Sequence, residues 1–141
     1  MFKKISSTFL LPALILLSSC SFPGSQFTGR TYTAILSGSN QIPKNTSRGS
    51  GRVTMTLSQD EKTANVTYSV ENLEGNAINT YVIGPAKEEE VSTTVIYPIS
   101  NQRVGVTTID PKELAAIKSG FVYVNVVTDK YPGGELRGQL K

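Results

Sequence analysis

The chain reads as all-β, a single antiparallel β-sandwich of immunoglobulin-like, Greek-key layout with one short connecting helix, and three observations predict it. Runs of period-two hydrophobicity recur along residues 31–141, separated by turn-forming Gly, Pro, Asn and Asp. One run, Phe121 to Val127, is apolar on both parities, as a central strand covered on both sides would be. A single capping box followed by a glycine marks the one helix. Seven or eight strands at this spacing fit two packed antiparallel sheets.

Residues 1–19 stand outside that fold. Met1-Phe2-Lys3-Lys4 is a positive n-region, and Thr8 to Leu17 (TFLLPALILL) is almost wholly apolar. That stretch is too short to span a ~30 Å hydrocarbon core, which takes ~20 residues, and Pro12 in its middle argues against a buried helix. The expectation is an export signal. Leu17-Ser18-Ser19-Cys20 then resembles the lipobox of bacterial lipoproteins, with an aliphatic residue, two small residues and the cysteine to be lipidated. Small side chains suit a peptidase that must take an extended chain near the cut. Cys20 is the one cysteine in the sequence. An ordinary secretory signal would leave it as a lone thiol in an oxidising compartment. Lipidation converts it to a thioether and rules out a disulfide, so the domain must stand on its core. A chain of about 110 residues buries well over half its unfolded surface and can do so. Each buried acyl methylene adds ~0.8 kcal/mol of membrane affinity, so the two or three chains of a lipoprotein anchor stably. The expected location is the cell envelope. Ser21 is not the aspartate that commonly retains lipoproteins in the inner membrane. An outer-membrane destination is therefore favoured in a cell with two membranes, and the outer face of the cytoplasmic membrane otherwise.

Residues 20–30 carry the lipid and a tether rich in Ser, Gly and Pro (SFPGSQFTGR). The folded domain is expected over 31–141. Thr31 to Ser37 is its first β-rich run, followed by a loop through Gly38, Asn40, Pro43 and Asn45. In Gly51 to Ser58, Val53, Met55 and Leu57 alternate with Thr54, Thr56 and Ser58. After a polar turn, Gln59 to Lys62, the run Thr63 to Leu73 sets Ala64, Val66, Tyr68 and Val70 against Asn65, Thr67 and Ser69. Two alternating runs around a short polar turn predict a hairpin with one wet face. Further strands are expected at Asn79 to Ile83, Val91 to Tyr97, Arg103 to Ile109, Phe121 to Thr128 and Glu135 to Leu140. Between the last three, Asp110 can cap a helix, Pro111 fits its first turn, Glu113 completes the box, and Gly120 suits the position past its end. Leu114 and Ile117 would face the core.

Charge excludes one class of partner. The chain has 14 Lys and Arg against 11 Asp and Glu, a formal +3. Lys3 and Lys4 leave with the export signal, so 12 basic and 11 acidic side chains remain, a net of +1. The basic residues form no run and no aromatics interleave with them, so nucleic acid is not a partner.

Tyr32 to Pro43 (YTAILSGSNQIP) resembles the opening of the CHRD domain, first described as the repeat of the animal protein chordin and common in bacterial exported proteins. Gly84-Pro85-Ala86 matches the middle of that family. Ser119-Gly120 leading into Tyr123-Val124-Asn125-Val126, then Pro132-Gly133-Gly134-Glu135-Leu136-Arg137-Gly138-Gln139-Leu140, is similar to its C-terminal signature. The likeness covers about Tyr32 to Leu140. It marks Gly84, Pro85, Asn125, Gly134, Glu135, Arg137 and Gly138 as family-motif positions, read as structural. The family usually carries a His-x-His pair before Gly-Pro-Ala and another histidine after Asn-Val. Those positions here are Tyr81, Ile83 and Val127, and the chain has no histidine. The resemblance implies that the scaffold survives without any metal or acid–base role such histidines serve, and Ile83 and Val127 imply burial there.

The remaining chemistry is sparse. With no histidine, and with Cys20 consumed, the usual nucleophilic triads are excluded; no Ser-x-x-Lys stands at a strand-to-helix turn, and Lys44 and Lys62 fall in loops. Zinc and copper want imidazole or thiolate. Glu88-Glu89-Glu90 offers oxygens, but three consecutive carboxylates cannot face one ion, and a solvated acidic loop is expected. No catalytic residue, metal ligand or cofactor is assigned. Glu135 and Arg137, two apart in a strand, are expected on one face, where they can pair with each other or with neighbouring strands. Arg137 could also hold a carbonyl or carboxylate. The tyrosines fall mainly in strands and read as packing. The expected function is a membrane-anchored envelope lipoprotein, not an enzyme, whose domain binds a protein or glycan partner or supports a surface assembly. The alternative is a periplasmic small-molecule or metal-handling protein.

Overall fold

A computed structural model of the chain describes residues 27–99 and 104–141. The expected export signal, Cys20 and most of the expected tether lie outside these residues. Eight strands form in the order β1 (Thr31–Ser37), β2 (Ser50–Leu57), β3 (Thr63–Glu71), β4 (Ala77–Ile83), β5 (Val95–Ile99), β6 (Val104–Thr108), β7 (Tyr123–Thr128) and β8 (Leu136–Gln139), with a helix α1 (Pro111–Lys118) before β7. All pairings are antiparallel, and the spatial order is β5-β4-β7-β8-β1-β2-β3-β6.

The all-β, sandwich-like expectation therefore holds, with one refinement. The two layers, β5-β4-β7-β8 and β1-β2-β3-β6, are joined along one side by a β8–β1 seam that carries a single ladder pair, Ser37↔Arg137. Backbone bonds between Thr33 and Lys141 extend that seam, at 2.8 and 3.1 Å. On the opposite side Gly105 of β6 lies beside Tyr97 of β5, so the sheet comes close to closing.

Side-chain parity explains why these segments are strands. Buried residues pair across the layer: Tyr32 with Met55, Ala34 with Val53, Met55 with Val66, Leu57 with Ala64. The facing layer supplies Val82, Val122, Val124, Val126, Leu136 and Leu140 to the same core. Fully burying a Val, Leu or Met contributes roughly 1.5–3 kcal/mol each. Thr80 of β4 donates to the Tyr68 hydroxyl of β3 at 3.0 Å, tying the two layers through the interior. β7 lies between β4 and β8, the central position its apolar run predicts.

One boundary moved. The run expected from Val91 to Tyr97 begins only at Val95, because residues 84–94 fold back as a loop closed by Gly84 N–H on the Thr94 carbonyl at 3.1 Å. The helix matches its sequence signals. The Asp110 carboxylate accepts from Lys112 N–H at 2.8 Å and Glu113 N–H at 2.9 Å, and Glu113 accepts from Asp110 N–H at 2.9 Å. Gly120 takes the left-handed conformation, φ 71°, that ends it. Ile117 is buried and Leu114 packs against the core. Asp110→Ala removes two acceptor bonds and is expected to lower stability by about 1 kcal/mol, read as a fall of about 4 °C in the midpoint of thermal unfolding.

Candidate functional site

The family-motif residues lie on the outer face of β7 and β8 and in loops at both ends of β7, with Gly84 and Pro85 beside Phe121 before it and Gly134 and Glu135 at the Thr128 end. On that face Tyr81 pairs with Asn125, Ile83 with Tyr123, and Asn125 with Arg137. Ile83, Ala86 and Tyr123 form a small apolar cluster outside the main core, with Tyr81 packed against it. Ile83 is buried as expected, whereas Val127, pairing with Asn79, is only half-buried near the end of β7. By strand parity the three positions where the family carries histidine share one face of the sheet.

The 84–94 loop needs Gly84, because a β-carbon there would lie 2.7 Å from the Phe121 carbonyl oxygen. Pro85, next to it, follows a cis peptide bond, and Ala86 N–H donates to the same Phe121 carbonyl at 2.7 Å. The loop then crosses β8, where Arg137 holds it. Arg137 is 3 % exposed, its guanidinium carbon lies 3.7 Å from the Tyr123 ring centroid, and its Nη2 donates to the carbonyls of Glu90 (2.6 Å), Glu88 (3.2 Å) and Lys87 (3.4 Å). Burial pulls its pKa down, opposed by Tyr123 and Glu88. Guanidinium nevertheless stays charged in proteins, and a stacked, carbonyl-bonded site suits it better than it would lysine. Gln139 adds bonds from Nε2 to the carbonyls of Gly120 (2.7 Å) and Ala86 (2.9 Å). The Lys141–Glu88 pair at 2.8 Å is exposed and adds little.

Glu135 serves the other loops. It is fully buried, and its carboxylate accepts from Ser47 Oγ (2.6 Å), Glu74 N–H (2.7 Å), Thr128 Oγ1 (2.8 Å) and Gly75 N–H (3.2 Å). Burial pushes its pKa up, and these four bonds together outweigh it, leaving the carboxyl below its ordinary value. Asn45 Nδ2 donates to the carbonyls of Glu135 (3.0 Å) and Gly134 (3.3 Å), while the Gly38 carbonyl accepts from Gln41 N–H and Asn45 N–H, both 3.1 Å. Gln41, 6 % exposed, donates from Nε2 to Asn125 Oδ1 at 2.7 Å, and Asn125 Nδ2 donates to the Gly133 carbonyl at 3.2 Å. Gly134 has φ 124°, and a β-carbon there would fall on the Asn125 and Gln41 side chains. Nearby, the Glu74 carboxylate accepts from Lys130 Nζ (2.5 Å), Arg48 N–H (3.1 Å) and the Tyr131 hydroxyl (3.0 Å), which hold its pKa down at about 2.

Glu135 and Arg137 do not pair with each other. Glu135 lies at a bend just before β8 and turns toward Thr128 and the end loops, while Arg137, within the strand, lies on Tyr123. The ion pair expected of Arg137 is absent among the described residues, and its guanidinium bonds carbonyls of the chain's own 84–94 loop instead. Sequence reasoning did not single out the polar partners Ser47, Asn45 and Thr128. They lie outside the quoted motifs and are ordinary loop and strand residues until the fold brings them to Glu135.

These braced loops frame a cleft of about 470 Å³, walled by Ser39–Lys44 on one side and by Glu88 and Glu89 on the other. Beyond Gln41–Lys44 a second hollow of about 260 Å³ runs to Lys130, Tyr131 and Pro132. Glu88, Glu89 and Glu90 are all exposed, as an acidic loop would be. Among the described residues no three His, Cys, Asp or Glu side chains gather as metal ligands.

A protein-family model described as the CHRD domain matches residues 32–140. No curated protein and no solved structure is similar enough to match. The match spans both strand layers, the 84–94 loop and the Glu135–Arg137 segment, and on that evidence the chain belongs to the CHRD domain family.

Proposed function

We propose that the chain is a cell-envelope lipoprotein, cut before Cys20 and lipid-anchored there, whose CHRD domain is a non-catalytic binding or structural module. One observation carries the reading of the domain. Its two buried charged side chains, Glu135 and Arg137, make their hydrogen bonds to the chain's own loop backbone and hydroxyl groups, and those of Arg137 hold one wall of the cleft. Catalysis would want such groups aimed at a reacting atom; a module that presents loops to a partner wants them as braces.

The strand directions support an anchored arrangement. Gly29 N–H bonds the Leu57 carbonyl and Leu57 N–H the Arg30 carbonyl, both at 3.0 Å, so the described chain enters beside the β2–β3 turn. The Ser39–Lys44 wall follows the far end of β1. A tether at Cys20 would therefore leave the cleft facing away from the membrane. An outer-membrane destination follows from Ser21 in a cell with two membranes.

Anchoring is tested by mass spectrometry of fractionated cells. The wild-type chain is expected in the membrane fraction, beginning at residue 20 and heavier by its acyl groups, and Cys20→Ser is expected to lose both the added mass and the cleavage. A wild-type product of unmodified mass in the soluble fraction would remove the proposal. The binding role is tested by photo-crosslinking in intact cells from positions 42 and 89. Discrete captured species are expected there and not from position 54 on β2, and equal capture from all three would count against it.

A further inference from the structure

We propose that the cleft between Ser39–Lys44 and Glu88–Glu89 binds an extended peptide segment of a partner, with an acidic and a basic side chain flanking an apolar one. The inference rests on the reading of the domain as a binding module and names the class of its partner.

The site is built rather than incidental. Its volume, about 470 Å³, lies within the range of ~300–1,000 Å³ typical of ligand sites. Its walls come from chain segments more than forty residues apart, and each is held from behind. Arg137 fixes the carbonyls of Lys87, Glu88 and Glu90. Gln41 is tied to Asn125, and Asn45 to Gly134 and Glu135. Walls fixed before binding lose little freedom on binding, and this raises affinity for a given set of contacts.

Charge then selects the ligand. Lys44 and Glu89 line the same cleft from different walls, and among the described residues neither has an ion-pair partner within 4.0 Å; Glu88 is paired with Lys141. Opposite charges that face one cleft without closing on each other complement a ligand that brings an anion to Lys44 and a cation to Glu89. Between them Ile42 is 39 % exposed and offers an apolar contact. The second hollow shares Gln41, Ile42, Pro43 and Lys44 with the first and continues to Tyr131 and Pro132. A ligand that uses both must run over the Ile42–Pro43 rim, which an extended chain does and a free amino acid does not.

The test uses the full-length chain in detergent micelles and dye-labelled, end-blocked five-residue peptides, read by fluorescence anisotropy. Lys-Ala-Leu-Ala-Glu and its reverse are compared with the neutral Gln-Ala-Leu-Ala-Gln. One charged order is expected to bind best, with the neutral peptide weaker by about fivefold or more, the effect of one to two partly screened charge contacts. Lys44→Glu and Glu89→Lys each weaken it similarly, and the double exchange reverses which order is preferred. Circular dichroism of the variants, whose substituted side chains are exposed, should match wild type. Equal binding of the neutral peptide, indifference to both variants, or no binding of any peptide at millimolar concentration overturns the inference. So does equal competition by free lysine and glutamate, which would assign the cleft to small molecules. None of these outcomes bears on lipidation, and crosslinks from positions 42 and 89 without peptide binding would leave the binding module standing with a partner of different chemistry at the same cleft.

Discussion

Glu135→Ala is expected to destabilise the domain by about 3–5 kcal/mol, because it leaves two hydroxyls and two amide N–H groups without their acceptor in a fully buried place. A buried donor without a partner costs ~1–3 kcal/mol, and water entering the space left by the side chain recovers part of the sum. The thermal midpoint should fall by about 12–20 °C. Glu135→Gln keeps the shape but turns an amide donor toward donors, so an intermediate loss is expected. The wild-type advantage over Glu135→Gln should also depend on pH, with a definite sign. The folded carboxyl titrates below the ordinary glutamate value. Its ionised form therefore contributes stability that is fully present above that value and is lost as pH falls through the lower, folded one. Denaturant unfolding at several pH values should show the gap between the two proteins narrowing only on the acid side. The opposite trend would mean the buried carboxyl is held neutral.

Gly138→Val is expected to have an effect of similar size through packing alone. A β-carbon at position 138 would press on the Ile35 carbonyl, lying 2.8 Å from its carbon and 3.0 Å from Leu36 Cδ2. Those atoms belong to β1, across the seam where a single ladder pair and the Thr33–Lys141 bonds join the two layers. Backbone cannot move aside as a flexible side chain can, so the seam must open. Overpacking of this kind costs typically ~1–3 kcal/mol, and a valine at a backbone contact belongs at or above the top of that range. Gly138→Val should unfold at markedly lower denaturant, with the first amides to exchange freely in β8 and β1. If its stability matches wild type, the seam is not the constraint described.

What could be read from the sequence, and what could not, divides along physical lines. Strand faces were legible at Val53-Met55-Leu57 and Ala64-Val66 because parity is local: each residue declares its own side. The helix was legible because Asp110, Pro111, Glu113 and Gly120 act within one or two turns. The start of β5 was not, since residues 91–94 have strand-like composition but are claimed by a loop that Arg137 holds from 47 positions away. The same limit governs the site. The family-motif positions were visible, but not the role of the charges. A strand pattern put Glu135 and Arg137 together, while β8 begins only at Leu136 and partners as distant as Ser47 and Glu74 draw Glu135 to other loops. Lys44 and Glu89, which give the cleft its polarity, looked like ordinary loop charges because only the fold sets one across from the other.

The central claim is that the buried charges are internal braces for the domain's loops, and the Glu135 carboxyl reports on it most directly. A carbon-detected NMR titration of that carboxyl, following the amide signals of Glu74 and Gly75 in parallel, is the measurement. A midpoint below the ordinary glutamate range, with both amides moving at the same midpoint, is the predicted result. A carboxyl that titrates in or above the ordinary range while those amides stay still would contradict it.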